Sequence, residues 1–88
     1  MIEVGFSKSF QKAFKKRIQN TSSEERFYEK LEIFINDPYA QTLRTHKLSG
    51  NLKPYWSFSV EYDIRVIFDF IDENKVLFVD IGTHSQVY

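Results

Sequence analysis

Apolar and polar residues alternate with different periods along this chain, and each change of period marks a new element. Ile2 and Val4 flank Glu3, a two-residue period that predicts a short strand from Met1 to Phe6, stopped by Gly5 and the serines at 7 and 9. Phe10, Ala13, Phe14 and Ile18 then recur at helical spacing, with Lys8, Lys12, Lys15, Lys16 and Arg17 on the remaining sides. Asn20-Thr21-Ser22-Ser23 interrupts this helix. Ser22 followed three residues later by Glu25 predicts a capping box that opens a second helix, with Phe27, Leu31, Phe34 and Ile35 as its stripe. That helix ends at Asn36-Asp37-Pro38, because the residue before a proline is pushed out of the helical region.

From Tyr39 to Lys53 the periodicity lapses into a loop around Ser49-Gly50-Asn51. Beyond it the period is two. Trp56, Phe58, Val60 and Tyr62 form one row of a strand and Tyr55, Ser57, Ser59 and Glu61 the other. After a turn at Asp63, Ile64, Val66, Phe68 and Phe70 alternate with Arg65, Ile67, Asp69 and Ile71. A second turn at Asp72-Glu73-Asn74 leads to a last strand, residues 75–81, which is expected to bury Leu77, Val79 and Ile81 because the other parity contains Asp80. Gly82 closes it, leaving residues 83–88 as a tail. The order predicts an α+β domain: an N-terminal strand and a helical hairpin packed on one face of a largely antiparallel four-stranded sheet, β-α-α-β-β-β. The opposite face is left open, carrying Tyr55, Ser57, Ser59 and Arg65.

Eighty-eight residues make one domain, 1–88. Nine Phe, five Tyr and one Trp supply the large side chains so small a core requires. With no Cys, neither a disulfide nor a thiolate metal site is available. No apolar run approaches the roughly 18 residues of a membrane span, and no basic segment followed by an apolar stretch opens the chain. A cytoplasmic protein without membrane contact is expected.

Net charge is zero, which at first speaks against a nucleic-acid partner. The zero is a sum of blocks. Residues 1–20 hold five basic and one acidic side chain, 21–37 two and five, 38–60 three and none, and 61–88 two and six. The +3 block contains His46 and directly precedes the strand that carries Arg65, so cationic character is available where a phosphate would lie.

Gly-rich phosphate loops, paired metal-binding histidines at helical spacing and the nucleophile elbow of hydrolases are all missing, which removes most enzyme classes. Two histidines, both in loop-like segments, favour metal-free acid/base chemistry over a metal centre. His46, within Arg44-Thr45-His46-Lys47, is either a solvated loop residue or a group placed in an anion-binding field. His84 follows the last buried strand residues, where scaffold ends often carry function. Arg65 interrupts an apolar strand; it either pairs with Glu61, Asp63 or Asp69, or presents a guanidinium to a phosphate. Lys47 and Lys53 are solvated side chains or phosphate contacts, and Tyr55 and Tyr88 could stack on bases. Two imidazoles, an arginine and a terminal aromatic around an open sheet face are the equipment for cleaving an RNA phosphodiester.

His46-Lys47-Leu48-Ser49-Gly50 followed by Lys53-Pro54-Tyr55-Trp56, the strand pair Val60-Glu61-Tyr62-Asp63-Ile64-Arg65-Val66-Ile67-Phe68, and the ending Ile81-Gly82-Thr83-His84-Ser85-Gln86-Val87-Tyr88 together carry a resemblance that covers nearly the whole chain. The sequence resembles the RelE/ParE toxin superfamily of bacterial toxin–antitoxin modules, and within it the YafQ-like branch. The resemblance implies a RelE-like fold and a metal-independent, cofactor-free, ribosome-dependent mRNA endoribonuclease. Its implied partners are mRNA on the ribosome and a cognate antitoxin encoded beside it, with DNA contacted only indirectly through the antitoxin complex. It further implies catalytic roles for His46, Asp63, Arg65, His84 and Tyr88, while Arg44, Lys47, Lys53 and Tyr55 are RNA-binding candidates on their own chemistry. Ser59 is a departure, standing where YafQ-like members often have another histidine. A ParE-like inhibitor of gyrase, or a toxin-fold protein that acts only in a repressor complex with its antitoxin, are the alternatives. The basic helix over residues 8–18 is the expected antitoxin surface.

Overall fold

A computed structural model describes the whole chain, residues 1–88. Strand β1 (Glu3–Phe6) is followed by helices α1 (Lys8–Arg17) and α2 (Ser22–Asn36), then β2 (His46–Lys47), β3 (Trp56–Glu61), β4 (Ile64–Asp72), β5 (Lys75–Thr83) and a one-turn helix α3 (His84–Val87). The sheet runs β1-β5-β4-β3-β2, with β1 parallel to β5 and the other pairs antiparallel. No helix is long and apolar enough to cross a membrane.

Local chemistry accounts for the helix ends. Ser7 Oγ accepts a hydrogen bond from the Phe10 amide at 3.0 Å and so opens α1, while Lys15, Lys16 and Arg17 occupy its last turn, where the helix dipole favours cations. The cap of α2 falls one residue earlier than the sequence pattern suggests. Thr21 Oγ1 accepts from the Ser23 amide, and the Glu24 carboxylate accepts from the Asn20 amide at 2.6 Å. Ser22 is therefore the first helical residue and not the cap.

Between hairpin and sheet, Phe34 is fully buried among Phe58, Phe68 and Phe78, with ring centroids 4.9, 5.1 and 5.4 Å away. Such aromatic pairs each contribute about 0.5–1.5 kcal/mol beyond their burial. Phe14 meets Phe27 edge-on at 5.1 Å and locks α1 to α2.

β1 pairs only with the first half of β5, from Lys75 to Phe78. The rest of that strand edge is covered by α1. Ser9 Oγ donates to the Val79 carbonyl at 2.7 Å, and Arg17 Nη1 donates to the Ile81 carbonyl at 3.0 Å and to Asp80 Oδ1 at 3.2 Å. Side chains of the helix thus finish the hydrogen bonding that an edge strand leaves open.

Four expectations are corrected. The sheet has five strands, because His46 and Lys47 pair with Ser57 and Trp56 inside the segment read as loop. Two residues are too few to produce a periodic signal. In β5 the core residues are Val76, Phe78 and Ile81, with Leu77 and Val79 only half-buried. A bulge explains this: Phe68 faces Phe78 while its neighbour Ile67 faces Asp80, so Val79 is an extra residue and the parity switches after it. Tyr62, placed by its alternation in the buried row, is 97% exposed, since β3 ends at Glu61 and the chain has already entered the turn. Finally, the second sheet face is only partly open. Ser57 and Ile67 on it are 0% and 2% exposed, because the chain end folds back over them as α3.

Candidate active site on the sheet face

The folded-back end is built by its own sequence. Thr83 Oγ1 accepts from the Gln86 amide at 3.3 Å, and Gln86 Oε1 accepts from the Thr83 amide at 2.8 Å, a complete capping box around a single helical turn. Val87 is buried beside Ile67 and Val79. Tyr88 donates its hydroxyl proton to Ser57 Oγ at 2.9 Å, and its ring meets His84 edge-on with centroids 4.5 Å apart. His84 is therefore held between a capped turn and an anchored ring while remaining exposed.

Strand register sets the other members. Ser59, Arg65 and Gly82 lie opposite one another across β3, β4 and β5, and His46 lies opposite Ser57, one step along on the same face. Arg65 Nη1 donates to Ser59 Oγ at 2.8 Å. Arg65 has no acidic partner: Glu61 accepts from Ser23 Oγ, and the ion pairs of the chain join Arg17 to Asp80, Arg26 to Glu29 and Lys75 to Glu3. Its charge is left for a ligand. His46 Nδ1 lies 2.9 Å from the Arg44 carbonyl. A carbonyl oxygen can only accept, so Nδ1 carries the proton and the unprotonated Nε2 of the neutral ring is free to take one.

Arg44, His46, Ser59, Arg65, His84 and Tyr88 line one depression of about 370 Å³. None of these six side chains is a carboxylate, and both arginines are permanently charged, so the depression suits an anion. The larger hollow of about 530 Å³ lies beyond Val87, between α1 and the sheet, and contains neither histidine. Of the residues the sequence singled out, Arg44, His46, Arg65, His84 and Tyr88 come together. Asp63 does not: it stands in the exposed β3–β4 turn without a hydrogen bond or ion pair. Lys47, Lys53 and Tyr55 border a separate hollow of about 140 Å³, and the Lys47 ammonium sits 5.6 Å above the Trp56 ring. Sequence reasoning missed the positioning roles of Ser57, Ser59 and Gln86. Only the last had a readable signal, the Thr83-x-x-Gln86 spacing of a capping box.

Gly82 shows how closely this end is packed. A Cβ there would lie 2.6 Å from Gln86 Oε1 and 2.8 Å from Arg17 Nη1. Both atoms are hydrogen-bonded and cannot give way without loss. Gly82→Ala is expected to lower stability by about 1–3 kcal/mol in urea titration. It should also displace α3, and with it His84 and Tyr88.

A strand, a helical hairpin and a three-stranded antiparallel meander whose last strand ends in a capped, aromatic-terminated turn define a RelE/ParE-type toxin fold. The chain belongs to the YafQ family, the bacterial toxins of type II toxin–antitoxin systems, whose family model matches residues 2–88. YafQ from E. coli strain BL21(DE3) is 20% identical in a superposition covering 100% of this chain and 99% of that one, with a TM-score of 0.82. The E. coli DinJ-YafQ complex matches with 20% identity, the same coverage and a TM-score of 0.80. A metal-bound toxin from Helicobacter pylori is 25% identical over 100% of both chains, with a TM-score of 0.79. Among curated proteins none matches this chain. In this chain no three His, Cys, Asp or Glu side chains converge, so the donor set a resident metal needs is not assembled.

Proposed function

We propose that this toxin is an endoribonuclease that cuts mRNA on the ribosome, and that a cognate antitoxin neutralises it. The observation that carries the reading is the convergence of His46, Arg65, His84 and Tyr88 on one anion-suited depression of a rigid sheet face. His46 Nε2 takes the proton of a ribose 2′-OH, whose oxygen attacks the adjacent phosphorus. Arg65, steadied by Ser59, stabilises the charge of the phosphorane. His84 gives a proton to the departing 5′ oxygen, leaving a 2′,3′-cyclic phosphate and a 5′-hydroxyl. Tyr88 orients His84, because its own hydroxyl proton is engaged by Ser57. Arg44 binds a phosphate of the same strand, and Lys47, Lys53 and Tyr55 are placed for RNA further along it.

The DinJ-YafQ complex supports an antitoxin for this chain as well. With formally balanced charge and few phosphates neutralised, affinity for free RNA is low, and presentation by the ribosome compensates.

Antitoxin-free protein mixed with programmed ribosomes should yield discrete cuts in the message by primer extension. An intact message would overturn the reading. Filamentous growth on expression, with the message uncut, would point instead to gyrase.

A further inference from the structure

The depression around His46 and His84 does not end at Arg65. A second hollow of about 330 Å³ shares Arg44, Ser59 and Arg65 with it and continues past the end of β3 to Lys30, Glu61 and Tyr62. Lys30 comes from α2, Arg44 from the segment before β2, and Arg65 from β4. None of the three cations is ion-paired. The acid at this hollow, Glu61, accepts a hydrogen bond from Ser23 Oγ. Three cations against one carboxylate leave the hollow positive on balance, and a bound anion relieves the remaining repulsion.

Two further observations extend the site. Arg44 adopts a left-handed conformation with φ +54°, which ends the 3-10 turn Gln41–Leu43. Its carbonyl holds His46 Nδ1 while its side chain lines both hollows, so one residue joins the two. Tyr62 presents a nearly bare ring at the rim of the hollow that Lys30, Arg44 and Arg65 also line. A ring in that setting is a platform for a nucleobase.

The geometry points to a second nucleotide subsite: Arg44 and Lys30 hold the phosphate next to the one that is cut, and Tyr62 stacks on that nucleotide's base. This rests on the RNA-cleaving reading above, with Lys30 and Tyr62 added as substrate-positioning residues.

The test is binding of a fluorescent 2′-O-methyl hexanucleotide, which lacks the attacking hydroxyl, to the antitoxin-free protein at several salt concentrations, run beside cleavage of programmed ribosomes. Lys30→Gln and Arg44→Gln are each expected to weaken binding about three- to tenfold and to reduce the salt slope by about one. Tyr62→Ala should weaken it and broaden base preference beside the cut, with Tyr62→Phe restoring both. In cleavage, Lys30→Gln should act on KM more than on kcat. Wild-type affinity in both Lys30→Gln and Tyr62→Ala, absence of binding by the wild-type protein, or weakened antitoxin binding in their place would overturn the subsite. Binding sensitive to these variants alongside an uncut message would instead overturn cleavage and leave the subsite standing.

Discussion

His84→Ala should lower cleavage of ribosome-bound message by about 10²–10⁴-fold, the usual contribution of a positioned acid or base. The side chain is exposed, with Tyr88 as its aromatic contact, so the thermal midpoint should change little and the loss can be read as chemistry. Its role can be isolated by the leaving group. A message with a 5′-bridging sulfur at the cut site expels a thiolate that needs no proton, so the His84→Ala defect should shrink on it. A defect in His46→Ala should persist, because removal of the 2′-OH proton is unchanged. The opposite pattern would exchange the two assignments, and cleavage at the wild-type rate in His84→Ala would remove His84 from the mechanism.

Arg65→Ala is expected to cost about 10²–10³-fold in kcat, the scale seen when a donor to a developing oxyanion is deleted. Arg65→Lys should recover little. An ammonium keeps the charge and most of the aliphatic stem, but not the planar fork that can donate to Ser59 and to a phosphate oxygen together. Because the stem is half-buried, Arg65→Ala also carries a packing penalty, and Arg65→Lys is the variant that separates catalysis from folding. Ser59→Ala should show a smaller loss in the same direction. Near-wild-type kcat in Arg65→Lys would mean that charge alone suffices and that the guanidinium geometry has no role.

These expectations draw unequally on sequence and structure. Arg65 was visible as a polar interruption of an apolar strand, but whether it paired with Glu61, Asp63 or Asp69 depended on where those carboxylates pointed. Glu61 turns to Ser23, on a helix about forty positions earlier in the chain, a distance no local pattern spans. His84 was visible as a histidine after a strand. That it faces the same depression as His46 follows from the capping box and from the Tyr88–Ser57 hydrogen bond, which fold the last residues back across the sheet. Asp63 matches its motif position, yet it is not among the residues that line the depression.

Helices α1 and α2, the three C-terminal strands and the α+β class follow from the sequence by itself, whereas α3 reads in it only as a tail. Apolar periods of 3.6 and 2 are local properties that each segment expresses wherever it is buried. The family was also legible, because its motifs are contiguous runs of residues. Tertiary structure alone decided the short β2, the parity of β5 after its bulge, the exposure of Tyr62 and the meeting of Arg44, His46, Arg65, His84 and Tyr88. Each depends on strand register or chain return, in which one extra residue such as Val79 reverses the face of everything that follows.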